Sequence, residues 1–346
     1  MNLKESIQEL AKDLNIQKIG FTTADNFEYL RKSLIEQKIS GHTSGFEHKN
    51  LDERLDPHLA VEDARTIISI GLGYPSKMPK AEKTEYRRGT FARASWGEDY
   101  HFILQRKMKA LAEGIEKLAG EFNYKAMVDT GALIDVAVAA RAGLGFIGKN
   151  GLLISKEYGS WLYLGELVTN IEIEPDQPVN YGCGDCTRCV DFCPTKALLG
   201  DGRLNATRCL SFQTQSKGKM DEEYREKIKT VIYGCDICQV VCPYNKGIDN
   251  HFHPEMEPDP EVINPELIPL QDLTNRKFSE KFGSLAGSWR GKNPIQRNAI
   301  YALANANDRT AIPKLKEIIA DDPRDYMVEA AQWALDKLEK RRSSIK

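Results

Sequence analysis

The sequence predicts a mixed α/β or α+β amino-terminal domain, a cysteine-rich module after it, and a helical tail. Three observations carry this. Strand-like and helix-like periods alternate over residues 1–170, all eight cysteines lie between 183 and 242, and three amphipathic helical stretches close the chain. A length of 346 residues suits two or three such parts. With 41% hydrophobic and 28% charged residues the composition is that of a globular protein, and no apolar run approaches the roughly 18 residues a membrane helix needs. The opening MNLKESIQELAKDLNIQKIG is an amphipathic helix pattern with acidic residues, unlike a signal peptide, so a cytoplasmic location is the expectation.

Taken in order, residues 1–20 begin as a helix with Leu3, Ile7, Leu10, Ala11 and Leu14 on one face, and Lys18–Phe21 follows as a short strand. Thr66–Leu72 is a clear strand, ended by Pro75. Asp99–Leu118 has helical spacing through Ile103, Met108, Leu111, Ile115 and Leu118. Tyr124–Val128 returns to strand, Leu133–Ala142 to helix, and Leu152–Ile154 and Trp161–Thr169 to strand. A Walker-type phosphate loop is absent, and GLGFIGKNG at 143–151 follows a helix, which does not suit a dinucleotide fingerprint.

Residues 251–270 hold five prolines and read as a linker or wrapping segment. The helical stretches 294–304, 311–320 and 324–340 each show one apolar face, Ile295, Ala299, Ala302 and Leu303 lining the first. Together they look like one and a half HEAT-type hairpins. The expected division is therefore 1–172 catalytic, 173–250 cysteine module, 251–275 acidic Pro-rich linker and 276–346 HEAT-like helices. The net charge of −2 gives no global attraction to nucleic acid, but 251–275 carries −6 and 276–346 carries +6. The basic tail is either a phosphate-binding surface or a solvated helical one.

Cys183, Cys186, Cys189 and Cys193-Pro194 spell C-x2-C-x2-C-x3-C-P, the ligand run of bacterial two-cluster ferredoxins. Cys235, Cys238 and Cys242-Pro243 repeat C-x2-C-x3-C-P, with Cys209 lying 26 residues upstream of that run. Thiolates three residues apart on a tight turn reach one cube, and the cysteine before proline must turn away to the other. The expected sets are Cys183, Cys186, Cys189 and Cys242 for one [4Fe–4S] cluster, and Cys193, Cys209, Cys235 and Cys238 for the other. Zinc sites pair CxxC knuckles and do not need this run. Two adjacent clusters form a wire, and about 180 residues precede it, far more than a free-standing carrier would need.

With this arrangement in view, further segments show a resemblance. Arg54-Leu55-Asp56-Pro57, Ala92-Arg93, Asp99-Tyr100-His101, Val128-Asp129-Thr130-Gly131, Arg141 to Asn150 and Tyr233 to Gln239 together resemble the epoxyqueuosine reductases. The resemblance implies reduction of epoxyqueuosine to queuosine at the wobble position of tRNA, with cobalamin reduced to its cob(I) form by the two clusters. A soluble electron donor of flavodoxin or ferredoxin type and a monomer are expected. The mechanistic plan is similar to that of reductive dehalogenases. An expelled oxygen needs a proton, and Asp129 matches the family's donor; it would have to be buried to hold a proton near neutral pH. Its structural alternative is a helix N-cap.

The resemblance also carries over, as cobalamin contacts, Arg93, Ser95, Asp129, Leu153, Leu164, Ser211 and Asp236. Gly143, Gly145 and Gly148 would admit the corrin closely or simply make a turn. A DxHxxG motif is absent, and His101, a lone histidine, reads as structural. For the tRNA, Ser216, Lys217, Lys219 and Arg297 are the leading contacts, with Arg290, Lys292 and Lys340-Arg341-Arg342 behind them. Two other readings remain: an electron-transfer subunit without its own substrate, and a dehalogenase-like enzyme acting on a small organohalide.

Overall fold

The structure is a computed structural model that describes residues 2–343, the side chains from 341 onward excepted. It divides into two compact units, each assembled from separate stretches of chain. One comprises the residues to Ser76, Tyr100–Thr207 and Ile237–Glu255; the other comprises Lys77–Asp99, Arg208–Asp236 and the residues from Met256. The consecutive division expected from the sequence is not how the chain packs.

The first unit is built on a four-stranded antiparallel sheet in the order β1-β2-β4-β3, from β1 (Lys18–Thr23), β2 (Thr66–Gly73), β3 (Tyr124–Met127) and β4 (Leu162–Thr169). Every residue of β2 is buried, which is why TIISIGLG reads as an unbroken run of apolar and small residues. Helices α1 (Leu3–Asp13) and α2 (Tyr100–Ala119) pack together; Gly114 of α2 leaves the space that Leu10 of α1 fills. Gly165 of β4 likewise admits Leu104 and Met108 of α2. On the other face lies α3 (Asp135–Arg141), whose Ala137 and Val138 pack with Ile67 of β2 and Val168 of β4. The helix expected from Leu133 thus begins at Asp135, because Ile134 is still extended.

The second unit closes around one apolar core. Phe91, Trp96, Leu210 and Ile232 pack with α4 (Lys292–Asn305), α5 (Ile312–Asp321) and α6 (Asp325–Ser343). Thr90–Phe91 and Val231–Tyr233 pair as a short parallel ladder. Helix α4 is buried from Pro294 to Ala304, not along one face only. That is possible because its polar residues bond inward: Asn298 Nδ2 donates to the carbonyls of Thr214 and Ile232, both at 2.8 Å.

The Pro-rich segment is a packed element, contrary to its reading as a linker. Ile263, Leu267 and Leu270 are buried in this same core, Pro260 opens the short helix Pro260–Ile263, and Arg88 reaches Glu261 at 2.8 Å and the Asn264 carbonyl at 2.7 Å. Pro254 and Pro260 open short helices, and the apolar residues between the prolines do the packing. No described helix is long and apolar enough to cross a membrane. If the segment belongs to the core, Ile263→Ala should lower unfolding free energy by about 2–5 kcal/mol. A urea titration would measure this; a midpoint equal to that of the parent protein would return the segment to linker status.

Candidate functional site

All eight cysteines are half-buried and outside any disulfide, in a chain with no other cysteine. Four of them, Cys183, Cys186, Cys189 and Cys242, lie in the first unit within electrostatic reach of one another. Burial and then the neighbouring thiols push Cys189 and Cys242 upward, Cys183 and Cys242 acting on the first and Cys183 and Cys186 on the second. Cys242 therefore belongs with the early run although it is 53 residues from Cys189. Of the remaining four, Cys193 and Cys238 lie in the first unit, and Cys209 and Cys235 in the second.

Main-chain amides point at the sulfurs. Lys149 N–H donates to Cys183 Sγ at 3.4 Å, and Ala197 N–H to Cys193 Sγ at 3.3 Å. Burial works against ionisation of Cys193, yet bonds from Thr195 and Ala197 outweigh it and hold the thiol below its ordinary value. The donor set fits an iron–sulfur cluster, whose sulfur ligands carry negative charge and accept such bonds.

The glycines of GLGFIGKNG serve this same support. A Cβ on Gly145 or Gly148 would run into Ile154, and one on Gly143 would meet the Gln177 carbonyl. Their smallness is used within the chain, which supports the second of the two readings, a turn that presents Lys149 to Cys183. A buried amide network, unforeseen from the sequence, anchors the second cysteine run. Gln239 Nε2 donates to the Ser160 carbonyl at 3.0 Å and to Tyr74 Oη at 3.1 Å. Asn245 accepts from Ser160 N–H at 2.7 Å and donates to the Gln239 carbonyl at 2.7 Å.

Asp129 follows β3 in a loop, six residues ahead of α3, so it is not that helix's cap. Its backbone is left-handed at φ 40°, and its N–H donates to Asp135 Oδ2 at 2.9 Å. Its carboxylate receives Tyr100 Oη–H at 3.1 Å and lies 3.4 Å from His101 Nε2. Tyr100 stacks on Tyr163 at 4.5 Å, and Tyr163 on Tyr74 at 4.2 Å. Beside the loop is a cleft of about 500 Å³ lined by Met108, Met127, Val128, Thr130 and Gly131.

The expectation that burial raises the Asp129 pKa is overturned. Its side chain is 63% exposed, and the bond from His101, ahead of that from Tyr100, holds the carboxyl below its ordinary range. His101, read as structural, is thus the partner of the candidate acid. The signal was its place in Asp99-Tyr100-His101 at the start of α2.

The other candidates fall into place unevenly. In the second unit, Arg93 donates to Asp236 Oδ2 through its main-chain N–H at 3.0 Å and Nη1 at 2.9 Å, while burial pushes the Asp236 carboxyl up. Ser211 Oγ accepts from Gln215 at 3.2 Å. Ser95 is buried with its hydroxyl donating to the Ala92 carbonyl, Leu153 is buried in the first unit, and Leu164 is half-buried. Lys217 is exposed, and Lys219 pairs with Glu329 at 2.8 Å.

Arg297 is corrected outright. It is fully buried and donates to the carbonyls of Gln213, Ser216 and Gly218, so it shapes their loop and cannot meet a phosphate. Desolvation lowers its pKa to about 10, which still leaves it charged. Lys292 is bonded to the Leu273 carbonyl, Arg290 lies over the Trp289 ring, and the side chains of Arg341 and Arg342 are outside the described residues.

Comparison with known proteins agrees with this geometry. Residues 54–130 match the family model described as "Epoxyqueuosine reductase QueG, DUF1730", and residues 182–245 match that of a "4Fe-4S double cluster binding domain". An epoxyqueuosine reductase of Lactococcus garvieae (strain Lg2) is 77% identical over 339 residues, covering 98% of this chain and 97% of the relative. This chain belongs to the epoxyqueuosine reductase family. Its eight cysteines hold two [4Fe–4S] clusters, and it is an oxidoreductase.

Two solved structures extend the likeness. A crystal structure of an epoxyqueuosine reductase with an epoxyqueuosine-modified tRNA-Tyr stem loop is 51% identical, with a TM-score of 0.94 over 97% of this chain and 90% of that one. An enzyme of Bacillus subtilis, whose aspartate-bearing catalytic loop is swung out of the active site, is 50% identical with the same TM-score and the same coverage. From the gathered thiols, Cys242→Ser should cost the cluster built on Cys183, Cys186 and Cys189, and iron content should fall by roughly half. Undiminished iron would mean that Cys242 is not a ligand.

Proposed function

We propose that this enzyme reduces epoxyqueuosine to queuosine at the wobble position of tRNA, with two clusters as the electron supply, cobalamin as cofactor and Asp129 as proton donor. Family membership and a relative solved with the modified stem loop support the substrate. The observation that carries the chemistry is the Asp129 carboxylate, exposed beside a cleft and held by Tyr100 and His101. The relative with a movable aspartate loop supports a catalytic part for such a residue.

Cobalamin supplies a two-electron centre of low potential when bound. In the second unit, Arg93, Asp236 and Ser211 offer donors and acceptors that fit its amide fringe. What the protein itself contributes is the proton. The oxygen leaving the epoxide is a poor leaving group unless protonated as the bond breaks. Asp129 and His101 form a pair that holds one proton between them, so the acid is made by its partner and needs no burial. The second cluster takes Cys193, Cys209, Cys235 and Cys238 by the ligand spacing, and a flavodoxin or ferredoxin type donor feeds the pair. The enzyme works as a monomer in the cytoplasm.

The tRNA backbone meets Ser216, Lys217 and Lys219, on the loop whose carbonyls Arg297 fixes. Asp129→Asn should retain iron and RNA binding yet lose conversion by about a hundredfold or more, read by nucleoside mass spectrometry after anaerobic turnover; near-parental turnover would remove Asp129 from the mechanism. In His101→Ala the partner that holds the proton is gone and the Asp129 carboxyl returns toward its ordinary value, so turnover should be lost at lower pH on the alkaline side of the pH–rate profile. Replacing Lys217 and Lys219 together by alanine should weaken binding of the stem loop and reduce its salt dependence by roughly one to two ions. An unchanged slope of affinity against salt would relocate the RNA to another surface.

A further inference from the structure

Glu166 lies in the middle of β4, paired across the sheet with Ser69 of β2 and Met127 of β3. Its neighbours on the same strand face are Leu164 and Val168. It is completely buried, and neither carboxylate oxygen meets a hydrogen-bond donor. Val168 on that same face packs with Ala137 and Val138 of α3, and the group that this helix brings toward Glu166 is another carboxyl, Asp135 at its start. Two acceptors that face one another make a hydrogen bond only if one of them carries a proton. A bare carboxylate in this apolar setting would be strongly disfavoured. Consistent with that, burial and then the Asp135 charge push Glu166 well above the carboxylate range, and burial followed by the Asp129 charge takes Asp135 up to about 6.

Asp135 has a second contact. Its Oδ2 accepts the main-chain N–H of Asp129 at 2.9 Å, the residue held at φ 40°. Few non-glycine residues adopt that conformation without a fixed partner. We propose that Glu166 is a positioning residue, which carries a proton at neutral pH, donates it to Asp135, and so keeps Asp135 as the acceptor that fixes the Asp129 main chain. The inference rests on the reading of Asp129 as the proton donor. It deepens that reading by placing a buried protonated carboxyl behind the acid.

The groups around Glu166 are few. Strand β2 offers Ser69, β3 offers Met127, α3 offers Asp135, and the intervening loop offers Asp129, whose carboxylate is occupied by Tyr100 and His101. Helix α2 packs on the opposite sheet face, with Leu104 and Met108 beside Gly165. Loss of the proton on the alkaline side sets two facing carboxylates against each other, Asp135 turns away, and Asp129 is released.

The test uses the full-length, cluster-loaded protein. Infrared difference spectra across pH, in water and deuterium oxide, should show a protonated carboxyl band near neutral pH that E166Q lacks and D129N keeps. In turnover, the parental kcat should fall on the alkaline side. E166Q has no proton to lose and an amide that still donates to Asp135, so its fall should move up by about a pH unit or more. E166L offers Asp135 no donor, and its kcat should drop by about tenfold with KM within about twofold. A missing band in the parent, a band surviving in E166Q, or an unmoved alkaline limb in E166Q would overturn the proposal. Normal turnover by D129N would overturn the reading of Asp129 instead, and the band would then decide by itself whether Glu166 holds the proton.

Discussion

A handful of buried amide hydrogen bonds around Ser160 sets the geometry on which the first unit's chemistry depends. They tie the turn carrying Cys238 and Cys242 to the entrance of β4. Tyr74, which accepts from Gln239, stacks on Tyr163; Tyr163 stacks on Tyr100, and Tyr100 reaches Asp129. Cluster ligands and acid are thereby referenced to one sheet through a continuous line of contacts. Buried amides of this kind permit one arrangement at low cost and penalise others, since any displaced donor or acceptor is left unpaired. Electron delivery and proton delivery must meet at the same reacting atoms, and a common rigid frame provides for both.

The acid shows a second use of the same logic. A carboxyl can be kept available for proton transfer by removing it from water or by giving it a partner that holds the proton. Here the partner is His101, and the carboxylate stays largely exposed. Burial is reserved for the carboxyl behind it, Glu166. The two environments divide the labour between an exposed acid and a buried support.

Much of this was legible in the residues. The strands at 18–23, 66–73 and 162–169 and the helix at 100–119 follow apolar periods that leave little choice. The crossing of Cys242 to the early run follows from a proline that turns the chain. What was hidden depends on partners distant in sequence. Arg297 reads as a surface cation until the carbonyls of the 213–218 loop are seen around it. The prolines at 254–269 suggest exposure until Ile263 and Leu267 are found in a core completed by residues on both sides of them. His101 and Gln239 stand in the resembling segments, but their roles depend on which groups they face, Asp129 for one and Ser160 with Tyr74 for the other.

The interleaving of the two units has a consequence for synthesis. The chain passes from one unit to the other after Ser76, Asp99, Thr207, Asp236 and Glu255. The core holding Phe91 and Trp96 also needs Leu315 and Leu338, so it stays open until almost the whole chain has left the ribosome. Those early aromatic residues must wait, exposed, while some two hundred residues are added, on the order of ten seconds or more at bacterial elongation rates. Completion of the second unit is thus a late event in this protein's life, and the last helices set the clock for it.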